Sequence, residues 1–319
     1  MQERLRRGRV RSDSRETDPN RFETRTTRIR GFDQAYIHER SPHGAGVALL
    51  CVHGWPESKR IFWKVIEPLA EAGFDVIVPD LRGFGESGPA PDGLYDTPSH
   101  VRDLHALVTQ ELGYESVVVL GGDLGGPVVQ DMALRYPDLV SRMVLFNSPL
   151  PFDRERMGSI QGTRAPREAA DYFIRQGTDA DALAAELATP EQRRRYIATF
   201  YSSRFWAHPG TFDDAAVAFH TEPFTAAGVL RASFGAYESV FDPAKRSEPT
   251  LMGRNEITPT LVLFGASDHV IYPAFDEMAA EVFAVKVGPY IVRNCGHFVP
   301  WEAPEALVSG TIALCSDLL

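Results

Sequence analysis

The strongest constraint on this chain is a recurring unit: a short, almost uninterrupted apolar run, then a polar or glycine-rich turn, then a helical stretch. Val47 to Val52 is one such run, and it ends at His53-Gly54-Trp55-Pro56. Phe74 to Val78 leads into Asp80-Leu81-Arg82-Gly83-Phe84-Gly85-Glu86-Ser87-Gly88, and Val117 to Leu120 leads into Gly121-Gly122-Asp123-Leu124-Gly125-Gly126. Met143 to Asn147 and Thr260 to Phe264 repeat the pattern. Strands this apolar must be covered on both faces, as in a parallel sheet. Between them, Ile61 to Ala72, Thr97 to Glu111 and Val128 to Tyr136 carry helical periodicity. The βαβ rhythm therefore predicts an α/β fold, a mostly parallel sheet with helices on both faces.

At the ends, Phe22 to Arg30 and Ala35 to Glu39 read as two strands joined at Gly31, and Tyr290 to Arg293 as the last strand. The rhythm stops after Pro149. From 150 to 245 the chain is rich in Ala, Arg and Asp, with helical patterns and scattered aromatics. That block is expected to be a helical cap inserted over the carboxyl edge of the sheet. The expected organisation is an Arg-rich, flexible tail at 1–21, core at 22–149, cap at 150–245 and core again at 246–319.

Composition narrows the function. With 44% hydrophobic residues among 319, global disorder is excluded. The formal charge is −10, although residues 1–30 hold ten Arg against five acidic residues. No broad basic face is implied, so nucleic acid is not an expected partner. The head lacks the apolar stretch of a secretory signal, its acidic residues argue against a transit peptide, and no run reaches membrane-spanning length. Cys51, Cys295 and Cys315 suggest no disulfide framework, so a reducing, cytoplasmic setting is the default expectation. The nine histidines contain no zinc motif, and no metal is expected. Gly83, Gly85 and Gly88 have the spacing of a dinucleotide loop, but Pro89 and Pro91 follow where a helix would have to begin.

Asp123 is the sharpest candidate for chemistry. A strand enters it, a helix leaves it, and glycines at 121, 122, 125 and 126 permit a tight turn. Such a turn presents one side chain at a helix head, as in the G-x-S-x-G nucleophile elbow, with aspartate here in place of serine. A carboxylate can displace a leaving group at a saturated carbon and leave an ester on the enzyme. The competing role is that of a helix cap. His297, in Asn294-Cys295-Gly296-His297-Phe298, and Asp268, in Gly265-Ala266-Ser267-Asp268, fall just beyond two other strands. Ligand crevices of α/β sheets lie at those carboxyl ends. The order nucleophile, acid, histidine matches a hydrolase triad. Gly54 permits a backbone path that aims the Trp55 N–H inward; with the Leu124 N–H it could form an oxyanion hole. His53, Gly54 and Pro56 are expected to shape this turn, and Asp80 and Glu86 to serve loop structure.

These pieces together resemble the α/β-hydrolase superfamily, in the branch of epoxide hydrolases and haloalkane dehalogenases. The resemblance rests on His53 to Ser58, Asp80 to Ser87, the Asp123 turn, Asp268 and Cys295 to Glu302, and spans nearly everything after residue 25. It implies an eight-stranded, mostly parallel sheet with a helical cap and no cofactor. Haloalkane dehalogenases commonly place Trp after the nucleophile, where this chain has Leu124. Fluoroacetate dehalogenases place Arg there and three residues later, where it has Leu124 and Pro127. Epoxide hydrolases use two cap tyrosines. Tyr237, 31 residues before Asp268, matches the second, although Glu238 follows it where Arg is frequent. Ala169 aligns with the first, leaving Tyr172 as a candidate second donor on a shifted helix, or Tyr237 as sole donor; Tyr196 and Tyr201 are weaker substitutes. Gly122 stands where relatives commonly carry His.

The resemblance thus implies an epoxide hydrolase acting on a small apolar epoxide, or a related electrophile, and water. Asp123 would be the nucleophile, His297 the base oriented by Asp268, and Tyr237 the proton donor. The alternatives are a haloalkane dehalogenase, in which Trp55 or Trp206 would compensate for Leu124, and a repurposed or inactive binding protein. Homodimerisation is left open.

Overall fold

The apolar runs become the centre of one eight-stranded sheet. The computed structural model describes residues 15–160, 172–271 and 274–319. In chain order the strands are β1 (Thr24–Ile29), β2 (Phe32–Glu39), β3 (Val47–Val52), β4 (Phe74–Pro79), β5 (Val117–Gly122), β6 (Val140–Phe146), β7 (Thr260–Gly265) and β8 (Lys286–Val292). Their order across the sheet is β1-β2-β4-β3-β5-β6-β7-β8. The pairs β1/β2 and β2/β4 are antiparallel, and all the others are parallel. Every residue of β4, β5 and β7 is buried, as strands covered on both faces require.

Helices α1 (Ile66–Glu71), α2 (Thr97–Ala106), α3 (Gly125–Arg135), α11 (Phe275–Val282), α12 (Val299–Glu302) and α13 (Pro304–Leu314) belong to the core connections. Between β6 and β7 the described elements are helical: α4 (Arg154–Met157), α5 (Tyr172–Thr178), α6 (Ala180–Glu186), α7 (Pro190–Tyr201), α8 (Asp214–Thr221), α9 (Ala227–Ser233) and α10 (Gly235–Phe241), with short 3₁₀ turns. Thr189 and Gln192 form a reciprocal capping box that starts α7. This helical block is tied to the sheet by Tyr201, whose hydroxyl donates to Pro56 O at 2.5 Å, and by Arg60, which donates to Phe219 O at 2.9 Å.

Three elements differ from the sequence expectation. The stretch Ile61 to Ala72 is divided into a 3₁₀ turn at Lys59–Phe62 and α1. Pro68 sits in the first turn of α1, the one place where its missing N–H costs nothing, so the helix begins there rather than at Ile61. The helix from Thr97 widens at Leu107–Glu111 into a π turn, in which Leu112 N–H reaches Leu107 O. The last strand starts at Lys286 and contains Gly288 and Pro289, which interrupt its apolar pattern; an edge strand tolerates such a proline. At the other end of the chain, residues 15–22 lie against the segment before α1. Trp63 donates its indole N–H to Asp18 O at 2.9 Å, and Phe22 packs edge-on against the Trp63 ring.

The chain runs from β3 to β4 on one side and returns to β5 on the other, so the strand order reverses at β3/β5. That reversal opens a crevice beyond the carboxyl ends of these two strands. His53-Gly54-Trp55 leaves β3 and Asp123 leaves β5, both at that crevice.

Candidate active site

Asp123 occupies the turn between β5 and α3 with φ +45°, a left-handed conformation that few non-glycine residues adopt. The turn is held by Asp123 N–H donating to Asn147 O at 2.9 Å and Gly126 N–H donating to Asp123 O at 3.1 Å. α3 can start this close to β3 because residue 125 is glycine: a Cβ there would stand 2.2 Å from Val52 O. The strain puts the carboxylate at the head of α3, where backbone N–H groups favour negative charge.

The carboxylate is held at both oxygens. Trp55 donates its backbone N–H to Oδ1 at 2.7 Å, and Oδ2 lies 3.1 Å from His297 Nε2. The first contact needs Gly54, since a Cβ on it would lie 2.5 Å from Asp123 Cβ. His297 Nδ1 lies 3.0 Å from Asp268 Oδ2, and Asp268 Oδ1 accepts the Val270 N–H at 2.7 Å. Asp123, His297 and Asp268 thus form one continuous hydrogen-bonded chain, and all three are buried. Burial by itself would strip the proton from His297. Asp268 and Asp123 on its two sides outweigh that and hold its pKa well above the ordinary histidine value.

His53 does not join this chain. Its Nε2 accepts the Leu81 N–H at 3.0 Å, so the ring proton lies on Nδ1, which donates to Gly54 O at 2.9 Å. Burial, which lowers its pKa, keeps this tautomer neutral. Asp80 accepts the backbone N–H groups of Lys59 and Glu86 and pairs with the Lys59 ammonium at 2.6 Å. Its role is confined to the loop.

Above the triad is a packed aromatic group. Trp55 stacks on Tyr172 at 4.9 Å and meets Phe200 and Tyr237 edge-on. The hydroxyl oxygens of Tyr172 and Tyr237 are 3.4 Å apart. Burial first, then Tyr172 and the charge of Asp123, raise the Tyr237 pKa well above the usual phenol value, so it keeps its proton. The Trp55 indole N–H is committed to Ser233 Oγ at 3.1 Å, and Trp206 sets its ring edge-on to His297 at 4.7 Å. Ala169 lies outside the described residues.

Three residues that sequence reasoning passed over also belong here. Glu57 is buried and accepts the Gly54 N–H at 2.6 Å; burial and the nearby Asp123 charge push its pKa up to about 7. Glu302 accepts N–H groups from Gly296 (3.0 Å) and Phe298 (3.0 Å) on the His297 loop, and from His208 (2.7 Å) in the helical block. Asn147, at the carboxyl end of β6, contacts the loops of all three triad residues. Its only signal in the sequence is a polar residue terminating an apolar run.

Comparisons with known proteins agree with this fold. A family model described as alpha/beta hydrolase fold matches residues 47–304, and one described as epoxide hydrolase N terminus matches 12–62. The soluble epoxide hydrolase of Corynebacterium sp. (strain C12) is 28% identical over 91% of this chain and 96% of its own length. The uncharacterized hydrolase YugF of Bacillus subtilis (strain 168) is 32% identical over 89% of this chain and 94% of its own. Among solved structures, epoxide hydrolase CorEH without ligand matches with a TM-score of 0.79 at 25% identity, covering 93% of this chain and 100% of that one. The chain belongs to the α/β-hydrolase fold family, as a hydrolase with aspartate at its strand-to-helix turn.

Proposed function

We propose that the protein is an epoxide hydrolase that opens a small apolar epoxide to a vicinal diol through an ester on Asp123. The observation that carries this reading is the pair of tyrosine hydroxyls, Tyr172 and Tyr237, 3.4 Å apart beside an Asp123–His297–Asp268 chain. Hydroxyl donors suit a departing ring oxygen. A departing halide needs N–H donors, and the Trp55 indole is already engaged by Ser233 while residue 124 is leucine. The intact triad argues against a role limited to binding.

In this scheme Asp123 Oδ2 attacks a ring carbon. The ring C–O bond breaks, its electron pair goes to oxygen, and Tyr237, assisted by Tyr172, supplies the proton. Oδ1 remains the ester carbonyl oxygen, still bound by the Trp55 N–H. Esterification neutralises Asp123 and removes its support for the imidazolium, so His297 releases that proton to solvent; the neutral ring, oriented by Asp268, then takes a proton from water, and the resulting hydroxide adds to the Asp123 carboxyl carbon. The Trp55 and Leu124 N–H groups stabilise the oxyanion on Oδ1. The Cγ–Oδ2 bond breaks, His297 gives its proton to the departing Oδ2, and the diol leaves with that oxygen; the water-derived proton left on the Asp123 carboxyl returns to the Tyr237 phenolate, which restores both resting groups. Water is the only co-reactant, and no cofactor enters.

The test is intact-protein mass spectrometry of His297→Gln after exposure to a panel of epoxides and haloalkanes. An adduct with the mass of a whole epoxide, located on Asp123, is expected. An adduct equal to haloalkane minus HX would replace this reading with a dehalogenase. No adduct from either panel, with wild type equally inert, would remove it.

A further inference from the structure

We infer that Asn147 is a positioning residue that holds the base and acid loops in register with the nucleophile turn. Its side chain is fully buried and its two amide hydrogens go to the two carbonyls of the base loop, Gly296 O at 2.7 Å and His297 O at 3.0 Å. Its Oδ1 accepts the N–H of Gly265 at 2.9 Å, and Gly265 O in turn accepts the N–H of Asp268 at 3.0 Å. Its main-chain carbonyl takes the Asp123 N–H at 2.9 Å. One residue thus touches the nucleophile turn, the strand end that carries the acid, and the peptide that carries the base.

The placement follows from the sheet. β6 lies between β5 and β7, so its carboxyl end falls between Asp123 and Asp268, and His297 closes over it from beyond β8. The peptide of His297 is fixed on its other side by its N–H donating to Trp206 O at 2.5 Å and by Glu302 on the Gly296 N–H. Glu302 ties that loop to the helical block through His208 and Thr211. Of Asn147, Glu302 and Trp206, Asn147 is the one that also bonds the acid strand and the nucleophile turn. The His297 ring must keep 3.0 Å to Asp268 and 3.1 Å to Asp123 at once, and a shift of about 1 Å in such a pair costs on the order of a hundredfold in rate.

Asn147 has φ +37°, a conformation that asparagine tolerates and glycine adopts freely. Asn147→Gly therefore deletes the amide while leaving the backbone bond to Asp123 intact. Asn147→Asp is the isosteric companion. It fills the same space, keeps an acceptor for Gly265, and turns a second oxygen toward two carbonyls.

The first readout needs no substrate. In protein carrying isotopically labelled histidine, the His297 titration should move to lower pH in Asn147→Gly, because a ring no longer aligned between two carboxylates loses the support that raises its pKa; in Asn147→Asp the added carboxylate opposes that shift, so this variant is read by the second measurement. The second readout rests on the epoxide hydrolase reading. Ester hydrolysis should slow about 10- to 100-fold while ring opening changes less than about threefold, so that kcat and KM fall together as ester accumulates. An unchanged His297 titration in Asn147→Gly overturns the inference. So does an equal loss in both chemical steps that merely tracks a lower melting temperature. A shifted titration in a protein whose wild type converts no epoxide upholds Asn147 and removes the epoxide reading instead.

Discussion

The phenolic oxygens of Tyr172, at the start of α5, and Tyr237, in α10, lie 3.4 Å apart with their rings edge-to-face at 5.7 Å. In the proposed reaction an epoxide oxygen held beside this pair would accept a hydrogen bond from each hydroxyl. Tyr237→Phe and Tyr172→Phe are each expected to slow ring opening by about 10- to 100-fold, and the double variant by more than either. Stopped-flow detection of the ester measures this directly. A silent Tyr172→Phe would leave Tyr237 as sole donor.

In the proposed reaction the ester on Asp123 changes the charges around His297. Burial disfavours the imidazolium, and Asp268 and Asp123 on its two sides outweigh that and raise its pKa. Its raised pKa stabilises the fold fully below the unfolded value of about 6.5, and that stabilisation is lost as pH rises through the folded value. Esterification neutralises Asp123 and removes part of that support, so His297 becomes readier to lose its proton when a base is required. The pH midpoint of ester hydrolysis is therefore expected to lie below the His297 titration midpoint of the free protein. Glu57, raised to about 7, titrates in the same window. Measuring both midpoints in Glu57→Gln, which keeps an acceptor for the Gly54 N–H, assigns the remaining transition to His297. Coincident midpoints would show that Asp123 contributes nothing to the histidine proton.

The sheet and the triad were legible because their physics is local. A buried parallel strand is an apolar run, and Asp123 and Asp268 each follow such a run, while His297 follows the partly exposed edge strand β8 in the chain order of a hydrolase triad. Tyr237 is singled out only by the family resemblance, which places a cap tyrosine at that distance before the acid. Asn147 and Glu302 were not legible in this way. Asn147 looks like the end of Met143 to Asn147, and its reach depends on β6 lying between β5 and β7, a relationship written in strand order rather than in any segment. Ser233 likewise gave no sign that it would engage the Trp55 indole across 178 positions. The apolar periodicity of Ile61 to Ala72 predicts one helix, but Pro68 is tolerated only in a first turn, so the α-helix is confined to Ile66–Glu71.

Glu302 couples the helical block to the base loop. Its carboxylate takes the His208 N–H and the Thr211 hydroxyl from one side and the Gly296 and Phe298 N–H groups from the other. Burial raises its pKa, and those four donors counteract the rise. Glu302→Gln keeps the shape but replaces one acceptor oxygen by an amide that faces N–H groups. The expected loss is about 1–3 kcal/mol of stability by urea unfolding, with slower ester hydrolysis and little change in ring opening. Loss of stability with both steps untouched would confine Glu302 to structure.

Gly122, the residue before the nucleophile, is a packing partner of Phe146. The two face each other across β5 and β6. A Cβ on Gly122 would stand 2.2 Å from Phe146 Cε2 and 2.6 Å from the Phe146 carbonyl oxygen. The volume that a larger residue would occupy at 122 is thus taken by the neighbouring strand's ring and backbone. Gly122→Ala is expected to cost about 1–3 kcal/mol and to slow ring opening by displacing the Asp123 turn. Phe146→Leu in the same chain should recover only part of the loss. It removes the ring contact but leaves the carbonyl in place, so the two substitutions should be coupled rather than additive. Urea unfolding of the two single variants and the double variant measures that coupling energy. A purely additive result would mean that the backbone of β6, and not the Phe146 ring, sets the limit at this position.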